Sequence, residues 1–130
     1  MTNLENNAYF WQKIDTLFFS SKCIISRPAG TIHPQYSNLI YPVDYGYLQD
    51  TLNGGQEGID VYKGSKSVSF ISTLVIAVDI LKKDIEVKLL VGCTSAEEDL
   101  ILRFLNQTDF QKTILVRRGV EIPSWGNSDL

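Results

Sequence analysis

The chain has few cysteines, few prolines and almost no histidine: two Cys, four Pro and one His in 130 residues. Two cysteines cannot staple a chain of this length, and Cys23 and Cys93 form no CxxC pair and have no neighbouring Cys or His to complete a zinc site. Both are expected as buried free thiols. The single His33 is expected as a structural or surface group rather than a ligand. No apolar run approaches bilayer-spanning length, and Met1 to Asn7 lacks the basic residues and small-residue cleavage site of a secretory leader. A soluble cytoplasmic protein with no membrane partner is the expectation. Basic residues are in the minority, 12 against 15 acidic ones for a net charge of -3, which disfavours nucleic acid as the partner. What remains, 44% hydrophobic residues with nine glycines, suffices for one packed core and excludes collagen-like and low-complexity chains. One domain over 1–130 is expected, with a helix in 1–20, a core over 22–118 and a tail over 119–130.

Leu4, Ala8, Trp11, Ile14 and Phe18 recur at three- and four-residue steps and predict an amphipathic helix from Leu4 to Phe18. Its rings, Tyr9, Phe10, Trp11, Phe18 and Phe19, either pack on the domain or form a docking face; burial, the main source of energy for large aromatics, is the expected use. A strand from Lys22 to Ser26 follows. Pro28, Gly30, Pro34 and Pro42 then force 28–44 to be extended or looped. Asn53-Gly54-Gly55-Gln56-Glu57-Gly58 reads as a loop exposing its carboxylate, before a short strand from Ile59 to Tyr62 that ends at Gly64.

Val68, Phe70, Leu74, Ile76, Val78 and Ile80 sit on alternate positions, as do Ile85, Val87, Leu89 and Val91, predicting a hairpin around Lys82-Lys83. The same period gathers Asp84, Glu86 and Lys88 on the opposite face of the second arm. Thr94 and Glu97 have capping-box spacing, and Leu100, Ile101, Phe104 and Leu105 mark a helix ending near Asn106. A last strand runs from Thr113 to Arg117. Adjacent strand residues face opposite ways, so at most one of Arg117 and Arg118 faces a cleft.

Three clusters lack an obvious folding reason. Tyr41-Pro42-Val43-Asp44-Tyr45-Gly46-Tyr47 crowds phenols and an acid into a rigid segment, where the hydroxyls can donate to an anion. Glu57-Gly58-Ile59-Asp60 and the set Asp84, Glu86 and Lys88 bring carboxylates that are either solvated surface charges or, if the fold converges them, ligands for a hard divalent cation.

Tyr41-Pro42-Val43-Asp44-Tyr45-Gly46-Tyr47-Leu48, Thr51-Leu52 and Gly58-Ile59-Asp60-Val61 together resemble, in order and spacing, the signature of the soluble family I inorganic pyrophosphatases. The likeness covers roughly 22–118. It implies an α+β, mainly β fold: an OB-like closed β-barrel with an N-terminal helix and a helix in the C-terminal half. It also implies hydrolysis of pyrophosphate to phosphate with Mg2+ or Mn2+, and a small phosphate-bearing molecule as partner. By position, Glu57 would take the place of the acid that activates water. Asp60 and Glu86 would ligate metal, with Asp84 and Asp44 as further candidates. Tyr41, Tyr45 and Lys88 would hold phosphate. A homo-oligomer is compatible with the resemblance.

The motif is altered in places. Gly55 stands where the family has its first aspartate, Gly58 replaces a proline, and Arg27-Pro28-Ala29-Gly30 with His33-Pro34 fills the stretch before the Tyr-Pro pair. Arg27 is the candidate phosphate clamp there, since a guanidinium fork fits phosphate oxygens. Two readings follow: a divalent-metal-dependent hydrolase of pyrophosphate or a related phosphoanhydride or phosphate ester, or a module that binds a phosphate ligand or a protein without turnover. Nucleic-acid binding on an OB-like barrel is a third, disfavoured by the acidic balance.

Overall fold

A computed structural model describes residues 6–123. Within them the chain runs α1 (Ala8–Phe19), β1 (Cys23–Arg27), β2 (Asp44–Asn53), β3 (Gln56–Lys63), β4 (Thr73–Asp79), β5 (Asp84–Val91), α2 (Ser95–Leu105) and β6 (Gln111–Arg117). The class is α+β, mainly β. The six strands form one mixed sheet in the order β1-β2-β3-β5-β4-β6, antiparallel except where β3 meets β5.

The closed barrel is not what these residues build. β1 and β6 stand at opposite ends of the strand order, so the sheet is open. A closed barrel encloses one face of its sheet, whereas here both faces bury apolar side chains, each under its own helix. Trp11 and Phe18 of α1 pack with Leu48, Ile59, Val61, Leu74 and Leu89 on one face. Ile101 and Leu105 of α2 pack with Tyr62, Val75 and Leu90, and with Tyr41 and Val43 of the preceding segment, on the other. Neighbours such as Val61 and Tyr62 therefore serve opposite cores, as a two-residue period requires. The unbroken apolar stretch Leu89-Leu90-Val91 is what a doubly covered central strand needs.

Local chemistry sets most boundaries. Asn7 caps α1 by accepting from the Phe10 N–H at 3.1 Å; the expected start at Leu4 lies outside the described residues. The aromatics of α1 divide, Trp11 and Phe18 being buried while Phe10 and Phe19 are exposed. The capping box of α2 forms as its spacing predicts, with Thr94 and Glu97 each accepting the other's N–H. The prolines leave 28–43 irregular, with a single Ile32–Ile40 bridge.

Two expected elements change. The stretch from Asn53 to Gly58 is a tight hairpin, not a loop: Asn53 pairs with Gln56 around Gly54 and Gly55, both at positive φ, and Glu57 already belongs to β3. Val68 and Phe70 precede β4, which begins at Thr73. Gly46 has a steric reason: a Cβ there would lie 1.9 Å from the Ile24 carbonyl oxygen of the adjacent β1.

Both cysteines are free; Cys93 is buried and Cys23 partly so. Arg117 and Arg118 do point to opposite faces. Arg117 Nη1 lies 3.4 Å from Glu98 Oε1, and Arg118 Nη2 lies 2.5 Å from Asp15 Oδ2 on α1. Each is occupied with a helix.

Candidate functional site

The site begins with strand register. Asp60 on β3 and Lys88 on β5 are partners in the parallel pairing, so their side chains emerge side by side on the α2 face. Lys88 Nζ donates to Asp60 Oδ2 at 2.7 Å, and the two side chains are only 9% and 13% exposed. Tyr45 Oη donates to the other oxygen, Asp60 Oδ1, at 2.9 Å. Glu86, two positions before Lys88 and on the same face, places Oε2 3.9 Å from Nζ.

Arg27, at the end of β1 opposite Tyr45, adds the outer part. Its Nη1 donates to Tyr41 Oη at 2.7 Å, and its guanidinium carbon lies 5.6 Å from the ring centres of both Tyr41 and Tyr45. Those two rings stack at 5.2 Å. Arg27, Tyr41, Tyr45, Asp60, Glu86 and Lys88 line one cleft of about 230 Å³.

The cleft is divided electrically. Burial, reinforced by the charges of Arg27 and Lys82, lowers the His33 pKa, which marks a positive outer end. Burial raises the Glu86 pKa; the neighbouring charges of Asp60 and Asp84 add to the rise and Lys88 opposes it, marking an acidic inner end. Burial and the Asp60 carboxylate push the Tyr45 phenol far above its ordinary range. Tyr45 thus stays protonated, and that proton is committed to Asp60 rather than to a ligand.

Other candidates fall elsewhere. Glu57 lies beyond the irregularity where β2 and β3 shift register between Leu48 and Leu52, with Gly58 at φ 85°. It is exposed in a separate depression with Tyr47, Asp50 and Thr51. Asp84 lines a neighbouring depression at the β4–β5 turn, shared with Glu86, to which its side chain is hydrogen-bonded. Asp44 Oδ1 accepts the Ala29 N–H at 2.9 Å, which pins the irregular segment to the start of β2.

Among the described residues no group of three or more His, Cys, Asp or Glu side chains could hold a metal ion. Asp60 and Glu86 are the two carboxylates that share Lys88 in the cleft. Both Asp60 oxygens are already taken by Tyr45 and Lys88, and the Lys88 ammonium reaches both carboxylates, supplying the positive charge that a cation would bring. Asp79, also on the wall, accepts the Leu81 and Lys82 N–H groups that close the hairpin turn. This donor set does not fit a divalent cation as arranged.

Comparison of the chain with protein-family models, with curated proteins and with solved structures finds no match in any of the three. No helix among the described residues is long and apolar enough to cross a membrane.

Sequence reasoning missed part of the cleft. His33, Tyr36, Lys82, Phe104 and Phe110 also line it. The His33-Pro34 pair sits in the altered stretch before the motif, a signal that was present. Phe104 shares the helical spacing of core residues, and nothing in the pattern around Lys82 or Phe110 marks them. The His33 Nδ1 accepts the Gln35 N–H at 3.0 Å, so the neutral ring carries its proton on Nε2.

Proposed function

We propose that the cleft binds a small phosphate-bearing anion of the pyrophosphate or phosphate-ester class. The observation that carries this reading is Arg27, held in the cleft by the Tyr41 hydroxyl and two ring faces with no carboxylate on it among the described residues. Arg27 is the main donor. Among the described residues it forms no ion pair; its partners are a neutral phenol and two ring faces, which fix the guanidinium without neutralising it. A fork held this way matches phosphate oxygens, and Lys82 adds charge at the same end. Tyr45 and Lys88 act indirectly by holding Asp60, while Tyr41 positions Arg27.

A second reading, hydrolysis of pyrophosphate with Mg2+ or Mn2+ as the motif resemblance implies, is favoured by one feature. Glu86 is a partly buried carboxylate in the same cleft whose pKa is raised by burial, which favours its protonated form relative to a solvated acid. The carboxylates do not fit the metal as they stand, so no step is derived through it.

Calorimetric titration with sodium pyrophosphate and with orthophosphate tests the binding. We expect saturable heat, weakened about tenfold or more by Arg27→Ala, since hydrogen bonds to charged groups contribute about 1.5–3 kcal/mol. Absence of heat at millimolar ligand, or an Arg27→Ala variant that binds equally well, overturns it. Phosphate release above that of Glu86→Gln, with magnesium or manganese present, would move the assignment to the hydrolase.

A further inference from the structure

The charged residues account for only half of the cleft. Its other half is aromatic. His33 and Tyr36 from the proline-bound segment face Phe104 near the end of α2 and Phe110 in the α2–β6 connection. The rings brace one another: His33 and Tyr36 centres are 5.1 Å apart, Tyr36 and Phe110 6.1 Å, and His33 and Phe104 6.4 Å. All four are partly exposed rather than sealed in the core. Gln35, Thr108 and Gln111 add amide and hydroxyl groups along the same wall.

We infer that the ligand is a phosphate monoester carrying a flat aromatic group, with nucleoside monophosphates as the chemical class, rather than a bare phosphoanhydride. This rests on the proposed phosphate site and extends it. Pyrophosphate is compact, uniformly charged and without apolar surface, so it gives these partly exposed rings nothing to cover. A phosphate seated on Arg27 with a planar ring reaching the aromatic wall uses both halves. Stacking on such rings tolerates any flat heterocycle; the Gln35 amide supplies donors and an acceptor for its edge, and Gln111, whose amide nitrogen donates to the Leu105 carbonyl at 2.8 Å, adds its carbonyl oxygen as an acceptor. His33 belongs to both halves. Its ring lies parallel to that of Tyr41, within 8° at 5.9 Å, and thereby links the Arg27 shelf to the aromatic wall. Kept neutral by burial and by Arg27 and Lys82, it presents a ring face and a single N–H rather than a further cation.

The test compares orthophosphate, pyrophosphate, phenyl phosphate and adenosine 5′-monophosphate by calorimetry on the full chain. Adenosine monophosphate is expected to bind at least about tenfold more tightly than orthophosphate, with phenyl phosphate between them. Phe110→Ala and Tyr36→Ala, from separate segments, are each expected to weaken adenosine monophosphate about tenfold while orthophosphate affinity stays within about twofold. Retained orthophosphate binding certifies that each variant is folded. Should one variant fail that control, the other decides. If pyrophosphate and orthophosphate bind but the aromatic ligands gain nothing, or if the ring variants weaken all ligands equally, the inference falls and the phosphate site stands. If no ligand binds the wild-type protein, both fall.

Discussion

Asp60 is the hinge of the cleft, and replacing it by Asn preserves its shape while removing its charge. Lys88 Nζ then loses a carboxylate at 2.7 Å in a place where the two side chains are 9% and 13% exposed. Breaking a buried ion pair from one side costs about 3–5 kcal/mol, because the remaining charge is stranded away from water. Two features put the cost at the lower end. Glu86 remains 3.9 Å from the ammonium, and the pair borders an open cleft. The expected loss is about 3 kcal/mol, or a fall in Tm of about 12 °C at roughly 4 °C per kcal/mol for a chain of this size. Lys88→Met removes the stranded charge, so Asp60→Asn with Lys88→Met should be less destabilised than the sum of the single variants by about 2 kcal/mol or more. Urea unfolding of the four proteins in this cycle measures the coupling. Additive single effects of under about 1 kcal/mol each would mean a solvated surface pair and refute the reasoning.

Two further outcomes follow from local geometry. Gly46→Ala drives a Cβ to 1.9 Å from the Ile24 backbone oxygen of the paired strand β1, so a loss of about 3 kcal/mol is expected; a melting temperature within about 2 °C of wild type would contradict it. Glu97 is held below its ordinary value of 4.5: burial alone would raise it, but hydrogen bonds from Thr94 and Ser65 outweigh that effect. A carboxylate with a depressed folded pKa adds stability that is complete above its unfolded value and is lost as pH falls through the folded one. The stability gap between wild type and Glu97→Gln should therefore be complete above the ordinary value of 4.5 and shrink as pH falls below it in a pH series of thermal melts. A gap independent of pH would count against the ionised capping box.

Much of the cleft was legible in advance, for identifiable reasons. The two-residue alternation on the second hairpin arm places Glu86 and Lys88 on one face, and both do line the cleft. The residues of the Tyr-Pro stretch alone leave Tyr41 and Tyr45 open between packing wall and site; the motif resemblance singles them out, and both do line the cleft. Glu57 and Asp44 stand apart because the bulge and a loop-pinning hydrogen bond govern where they go, while Asp84, at the hairpin end, reaches Glu86 but not the cleft lining. The alternation also identifies Ile85 as an apolar-face residue, yet it is 63% exposed, whereas Lys88 on the polar face is buried. Strand period tells which residues share a face; only the neighbouring elements decide whether that face is wet.

The same division holds for the whole molecule. Contacts within a few residues suffice for the helical stripe of α1, the Thr94–Glu97 cap, the irregular proline segment and the strand alternation, and these could be read from the residues directly. Tertiary structure alone decided that β3 runs parallel to β5, that both sheet faces are covered and the barrel stays open, and that Asp60 meets a lysine 28 positions away. The reason is that the choice among strand partners is made by the joint burial of two cores, and no stretch of the chain carries that information alone.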